Sequence, residues 1–170
     1  MGKLMGCMLV LTAAASGGFY MGFCLEERLR LLLEERRLLL MLEGEIRFIR
    51  SSFQEAFLSI GSRAGEPFAS FFKETGKRLT GREGEFSSIW EEETKHLSGS
   101  HLKEADIREF SMLGQQLGYL DAEMQLKTIA LYLEGLEQKL KELTGEIGQR
   151  KRLYHCLGIL GGMMLLLVLL

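Results

Sequence analysis

The chain has 170 residues, enough for one modest domain, and its 46% hydrophobic and 26% charged residues fit a globular composition. A formal net charge of −2 carries no excess of Lys and Arg for a polyanion, which argues against a nucleic-acid-binding role. Cys7, Cys24 and Cys156 all lie toward the ends, so the centre has no disulfide framework.

From Leu4 to Leu25 no residue is charged, and from Leu153 to Leu170 only His155 can carry a charge. A bilayer core needs roughly 20 apolar residues of helix, so residues 1–25 and 153–170 are predicted to be transmembrane helices. The small residues "TAAASGG" also fit the cleavage region of a secretory signal. Apolar character continues past them through "FYMGFCL", however, which favours a retained anchor. Arg28, Arg30, Arg36 and Arg37 follow the first span and Arg150, Lys151 and Arg152 precede the second, while Lys3 lies outside. Basic residues accumulate on the cytoplasmic side, so residues 26–152 are expected to form a cytoplasmic region, with both termini on the far side.

That central region reads as an all-α bundle of about six helices. Leu32, Leu39, Leu42, Ile46, Ile49 and Phe53 recur at helical spacing after the first span, with Glu43 and Arg47 placed for an i,i+4 pair. Ser51 or Ser52 can cap a helix ending near Arg63, with Glu55 near the capping-box position. Pro67 suits the first turn of the helix in "EPFASFFKETG". Gly81 and Gly84 bound a loop before "EFSSIWEEETKHL", and Ile107, Phe110, Leu113 and Leu117 mark another helix. Asp121 is the expected N-cap of the last one, whose stripe Leu126, Ile129, Leu133, Leu136, Leu140, Leu143 and Ile147 steps by three and four. Unbroken to the end, that helix would be roughly 70 Å long. The first and last helices are thus expected to be long, continuous with the spans, and paired antiparallel through their stripes.

Catalytic chemistry is not legible. "TGKRLTG" places Lys77 after Gly76, but Arg78 stands where a P-loop needs Ser or Thr. His96 and His101 have no Cys or further His nearby to complete a metal site. No G-x-S-x-G or H-E-x-x-H pattern occurs. The expectation is a non-enzyme with neither cofactor nor metal. Two surface features are candidates for partner binding: the basic cluster Lys73, Lys77, Arg78 and Arg82, and the acidic patch Trp90, Glu91, Glu92 and Glu93. Each has a plainer reading, a solvated loop for the first and a core tryptophan with solvated glutamates for the second. In "LGQQLGYLDAEMQ", Gly114 and Gly118 lie one helical turn apart. Each weakens a helix by about 1 kcal/mol relative to Ala, which points to close helix packing on that face.

The segments "LLMLEGEIRF", "LGQQLGYLDAEMQ" (with Gly114, Gly118, Asp121 and Gln125) and "KRLYHCLGILGGMMLLLVLL" together resemble the stage III sporulation protein AB family of endospore-forming bacteria. The resemblance covers essentially the whole chain. One departure is "RSSFQEAF", where the family usually shows Thr-Pro or Ser-Pro before the helix. The resemblance implies a membrane platform in the channel complex at the mother cell–forespore boundary, located in the mother-cell (outer forespore) membrane. Its soluble region would resemble the platform protein of type II secretion and type IV pilus systems. Its implied partners are the sporulation ATPase (stage III sporulation protein AA), other membrane channel components and the lipid bilayer, with no nucleic acid. Homo-oligomerisation is left open. The rival expectation from the residues is a two-span sensor whose helical bundle lies outside the cell and binds a small ligand.

Overall fold

The stripe on α1 (Gly2–Gly44) is buried at Leu32, Leu39 and Leu42, and Leu31 and Leu38 widen it. The stripe on α6 (Ala122–Leu169) is buried at Ile129, Leu133, Leu136, Leu140 and Leu143, with Leu126 and Ile147 at its half-exposed ends. These are the positions that a 3.6-residue period brings to one face. The computed structural model describes residues 2–49, 53–81, 85–118 and 121–169, and no side chains for residues 1–19, 21, 48, 49, 53 and 150–169. Ile49, Phe53, Ser51, Ser52, Arg82 and Gly84, and most of both predicted spans, therefore lie outside the described residues or side chains. Among the described residues no helix is long and apolar enough to cross a membrane.

All regular structure among the described residues is helical. After α1 comes a π-helical turn, Glu45–Ile49, and then α2 (Phe53–Arg63), α3 (Phe68–Gly81), α4 (Phe86–Lys95), a 3₁₀ turn His96–Gly99, α5 (Glu104–Leu117) and α6. The Glu43–Arg47 pair forms at 2.6 Å. Pro67 sits immediately before α3, where its carbonyl accepts from the Phe71 amide. Asp121 caps α6, its Oδ1 accepting from the Met124 amide at 2.9 Å.

The chain divides into two compact units, Met1–Leu29 with Lys141–Leu170, and Arg30–Leu140. In the second unit α2 and α3 run close together because two glycines admit the approach. A Cβ at Gly61 would stand 2.9 Å from the Lys73 backbone nitrogen, and one at Gly76 would stand 2.9 Å from Leu58 Cγ. The core of this unit is aromatic. Trp90 is fully buried, with ring centroids of Phe110, Phe71, Phe86 and Phe57 at 4.9, 5.0, 5.5 and 5.8 Å. Its indole N–H donates to the Phe110 carbonyl at 2.9 Å, so the polar end of the ring is satisfied as well.

Candidate functional site

The basic and acidic features that are separate in sequence meet in space. Arg78, near the end of α3, places Nη2 at 2.7 Å from Glu92 Oε2 and Nη1 at 2.9 Å from Glu93 Oε1, both on α4. The hydrogen bonds to Glu92 and Glu93 raise the Arg78 pKa further above its ordinary value. Arg78 is thus a clamp between two helices. Lys77 turns to Glu74 on its own helix at 2.6 Å, and both side chains are exposed. Lys73 is exposed, its stem lying over Gly61.

The acidic patch needs a correction in two members. Trp90 is at the centre of the aromatic core, not on a docking face, because its apolar ring gains more from burial than an exposed position offers. Glu93 is 8% exposed and engaged by Arg78. Glu91 and Glu92 remain on the surface. Beside this cluster is a cleft of about 540 Å³ lined by Glu66, Pro67, Phe71, Glu74, Glu93 and His96 among others. Its carboxylates are engaged internally: Glu66 accepts from the Ser70 hydroxyl and amide, Glu74 from Lys77 and Glu93 from Arg78. His101 is not one of the cleft's lining residues. Among the described residues no group of three His, Cys, Asp or Glu side chains is placed to hold a metal.

The "LGQQLGYLDAEMQ" segment joins α5, α6 and α4. A Cβ on Gly114 would lie 2.1 Å from Trp90 Cγ and Cδ1, so the indole occupies the space a side chain would need. At Gly118 the nearest atom, Phe86 Cδ1, would be at 3.3 Å. Gln125 is buried, and its amide donates to the Leu117 carbonyl at 3.0 Å, tying the end of α5 to the first turns of α6.

A second polar cluster was not anticipated from sequence. Glu35 on α1 is 2% exposed and accepts from the Tyr132 hydroxyl on α6. Burial pushes its carboxyl up to about 8, against the Tyr132 hydrogen bond, with the nearby Asp106 charge adding to the rise. Tyr132 is raised as well, by burial and then by the Glu35 charge. On α5, Asp106 is 2% exposed and accepts from Lys139 of α6 at 2.9 Å and from the Lys103 amide at 3.1 Å. Lys139 also reaches Glu109 at 2.6 Å. Burial opposes the Lys139 ammonium, but the bonds to Glu109 and Asp106 outweigh it and raise its pKa. The signal for Glu35 was present: it lies midway in the seven-residue step from Leu32 to Leu39, on the buried side of α1.

Comparison with known proteins decides the family. The family described as stage III sporulation protein AB matches this chain over residues 3–170. The chain belongs to the stage III sporulation protein AB family. It is 26% identical over 168 residues to stage III sporulation protein AB of Bacillus subtilis (strain 168), covering 98% of each chain. A solved structure of stage III sporulation protein AB is similar with a TM-score of 0.66 and 24% identity, over 72% of this chain and 97% of that one. At that identity the second likeness speaks to the fold, and the fold it shares is the helical one described above.

Proposed function

We propose that this member of the stage III sporulation protein AB family is a non-enzymatic membrane platform that links a cytoplasmic ATPase to a sporulation channel assembly. Membership of the family over residues 3–170 is the observation that carries the reading. Two further features support it. The second unit is a well-packed helical bundle with an aromatic core around Trp90, and its α3 and α4 present charged side chains at Lys73, Lys77, Glu91 and Glu92. The chain's ends carry apolar stretches suited by length to a bilayer. In this reading the spans hold the chain in the mother-cell membrane, and the bundle offers the ATPase a charged face.

The docking face is tested by reversing Lys73 and Lys77 to Glu in the full chain, leaving Arg78 native because it clamps α3 to α4. Recruitment of the ATPase to membranes should fall, while the variant loses no more than about 1 kcal/mol of stability, the scale of one exposed ion pair lost and like charges set beside Glu74. Unchanged recruitment would remove these lysines from the docking face. Orientation is tested separately, with a cysteine at exposed Ser98 in a chain lacking its native cysteines. A membrane-impermeant thiol reagent should leave it unlabelled in intact cells, and labelling would favour the extracytoplasmic sensor instead.

A further inference from the structure

Two exposed apolar features of the unit Arg30–Leu140 match each other. On α1, Leu33 and Leu40 are 50% and 42% exposed. They are seven residues apart, so they stand on one face about 10.5 Å apart along the axis. At about 100° per residue, Arg36 lies to one side of the Leu33–Leu40 line and Arg30, Glu34 and Arg37 to the other, where Arg37 is held by Glu34 at 2.6 Å and by the Arg63 carbonyl at 2.8 Å. The result is a leucine ridge with Arg36 on one shoulder and the Glu34–Arg37 ion pair on the other.

The second feature is a groove of about 330 Å³ between α5 and α6. Leu113 and Leu136 line it beneath two exposed apolar residues, Met112 at 54% and Leu131 at 62%. Met124, 46% exposed, precedes Leu131 by seven residues and repeats the two-turn spacing of the ridge. Glu109, half-exposed although bonded to Lys139, belongs to the α5 lip, and Glu134 flanks Leu131 on the outer side of the α6 lip. Lys127 stands on the α6 lip too, four residues from Glu123, so the acidic character rests on Glu109 and Glu134.

We propose that the chain self-associates head to tail, with the Leu33–Leu40 ridge of one copy seated in the Met112–Leu131 groove of the next. The apolar steps on the two surfaces have the same spacing, which is what two helices packed at a shallow angle require. Arg36 on one shoulder of the ridge is complementary to Glu134 on the α6 lip of the groove, a complement that a groove-to-groove pairing lacks. Methionine at the lip adapts to the entering leucines. Because ridge and groove are different surfaces, the contact is heterologous and each copy keeps one of each available for a further neighbour.

The full chain in detergent provides the test. Sedimentation velocity should show concentration-dependent association of the wild type beyond a dimer. Leu40→Glu, which damages only the ridge, and Leu131→Glu, which damages only the groove, should each weaken association by about tenfold or more. Mixing the two variants should restore a 1:1 complex that grows no further, since one supplies an intact groove and the other an intact ridge. Arg36→Glu and Glu134→Arg give a second pair, each weakening association alone and recovering when combined across the interface. Trp90 fluorescence melts keep loss of folding apart from loss of contact. A wild type that stays monomeric, single variants that associate like wild type, or a mixture that fails to pair would each overturn the proposal.

Discussion

Replacing Glu35 by Gln isolates the proton that the buried carboxyl holds. In the folded chain this carboxyl sits at about 8 instead of 4.5, so between those values the folded state retains a proton that the unfolded chain releases. Stability from this group is therefore fully present below about 4.5 and is lost as pH rises through about 8. At about 1.4 kcal/mol per pH unit, the loss reaches about 3 kcal/mol near pH 7. Gln has the same shape and stays neutral, and its amide oxygen can accept the Tyr132 hydroxyl. Its amide N–H groups are new donors in a buried site, an offset of about 1 kcal/mol. The variant should match the wild type or fall slightly below it at pH 5, and exceed it by about 3 kcal/mol at pH 8. Urea unfolding followed by Trp90 fluorescence measures this, since Trp90 is the single tryptophan and is fully buried. Lys139, Asp106 and Glu109 are present in both proteins, so the difference curve reports on Glu35. If the two stability curves run parallel from pH 5 to 8.5, the carboxyl is not held protonated and the reasoning fails.

Gly114→Ala forces a Cβ to within 2.1 Å of Trp90 and should destabilise by about 2–3 kcal/mol despite the better helix propensity of Ala, read from the melting temperature. Lys139→Met removes the ammonium that compensates the buried Asp106 carboxylate and leaves it the Lys103 amide; it should lower stability by about 3 kcal/mol, whereas adding Asp106→Asn should recover a large part of it in the same denaturation assay. Asp121→Ala removes the bond to the Met124 amide and should lower stability by about 1 kcal/mol without altering helix content by circular dichroism.

The helices were legible because their apolar residues keep time with the 3.6-residue turn. Leu133, Leu136, Leu140 and Leu143 announce a buried stripe, and each is buried. Capping was equally local: Asp121 is read from its own position before α6. The polar contacts were harder, because they depend on which helix faces which. Nothing near Arg78 in sequence reveals that Glu92 and Glu93, fourteen and fifteen residues on, close around it. In sequence Trp90 fits both a core anchor and an acidic patch, and only the surrounding Phe57, Phe71, Phe86 and Phe110 rings decide between them. Glu35 looks like one more charge in "LLLEERRLLL" until its register with Leu32 and Leu39 is counted. The sequence pattern thus places elements, and tertiary packing assigns their charges to the core or to the surface.

The platform reading is most directly tested by flotation. The full chain is reconstituted in phospholipid vesicles with the bundle outward, incubated with the purified sporulation ATPase, and centrifuged on a density gradient. The account predicts that the ATPase floats with vesicles carrying the chain and stays at the bottom with empty ones, and that the Lys73→Glu, Lys77→Glu chain carries less of it upward. An ATPase that remains at the bottom whether or not the chain is present would contradict the account.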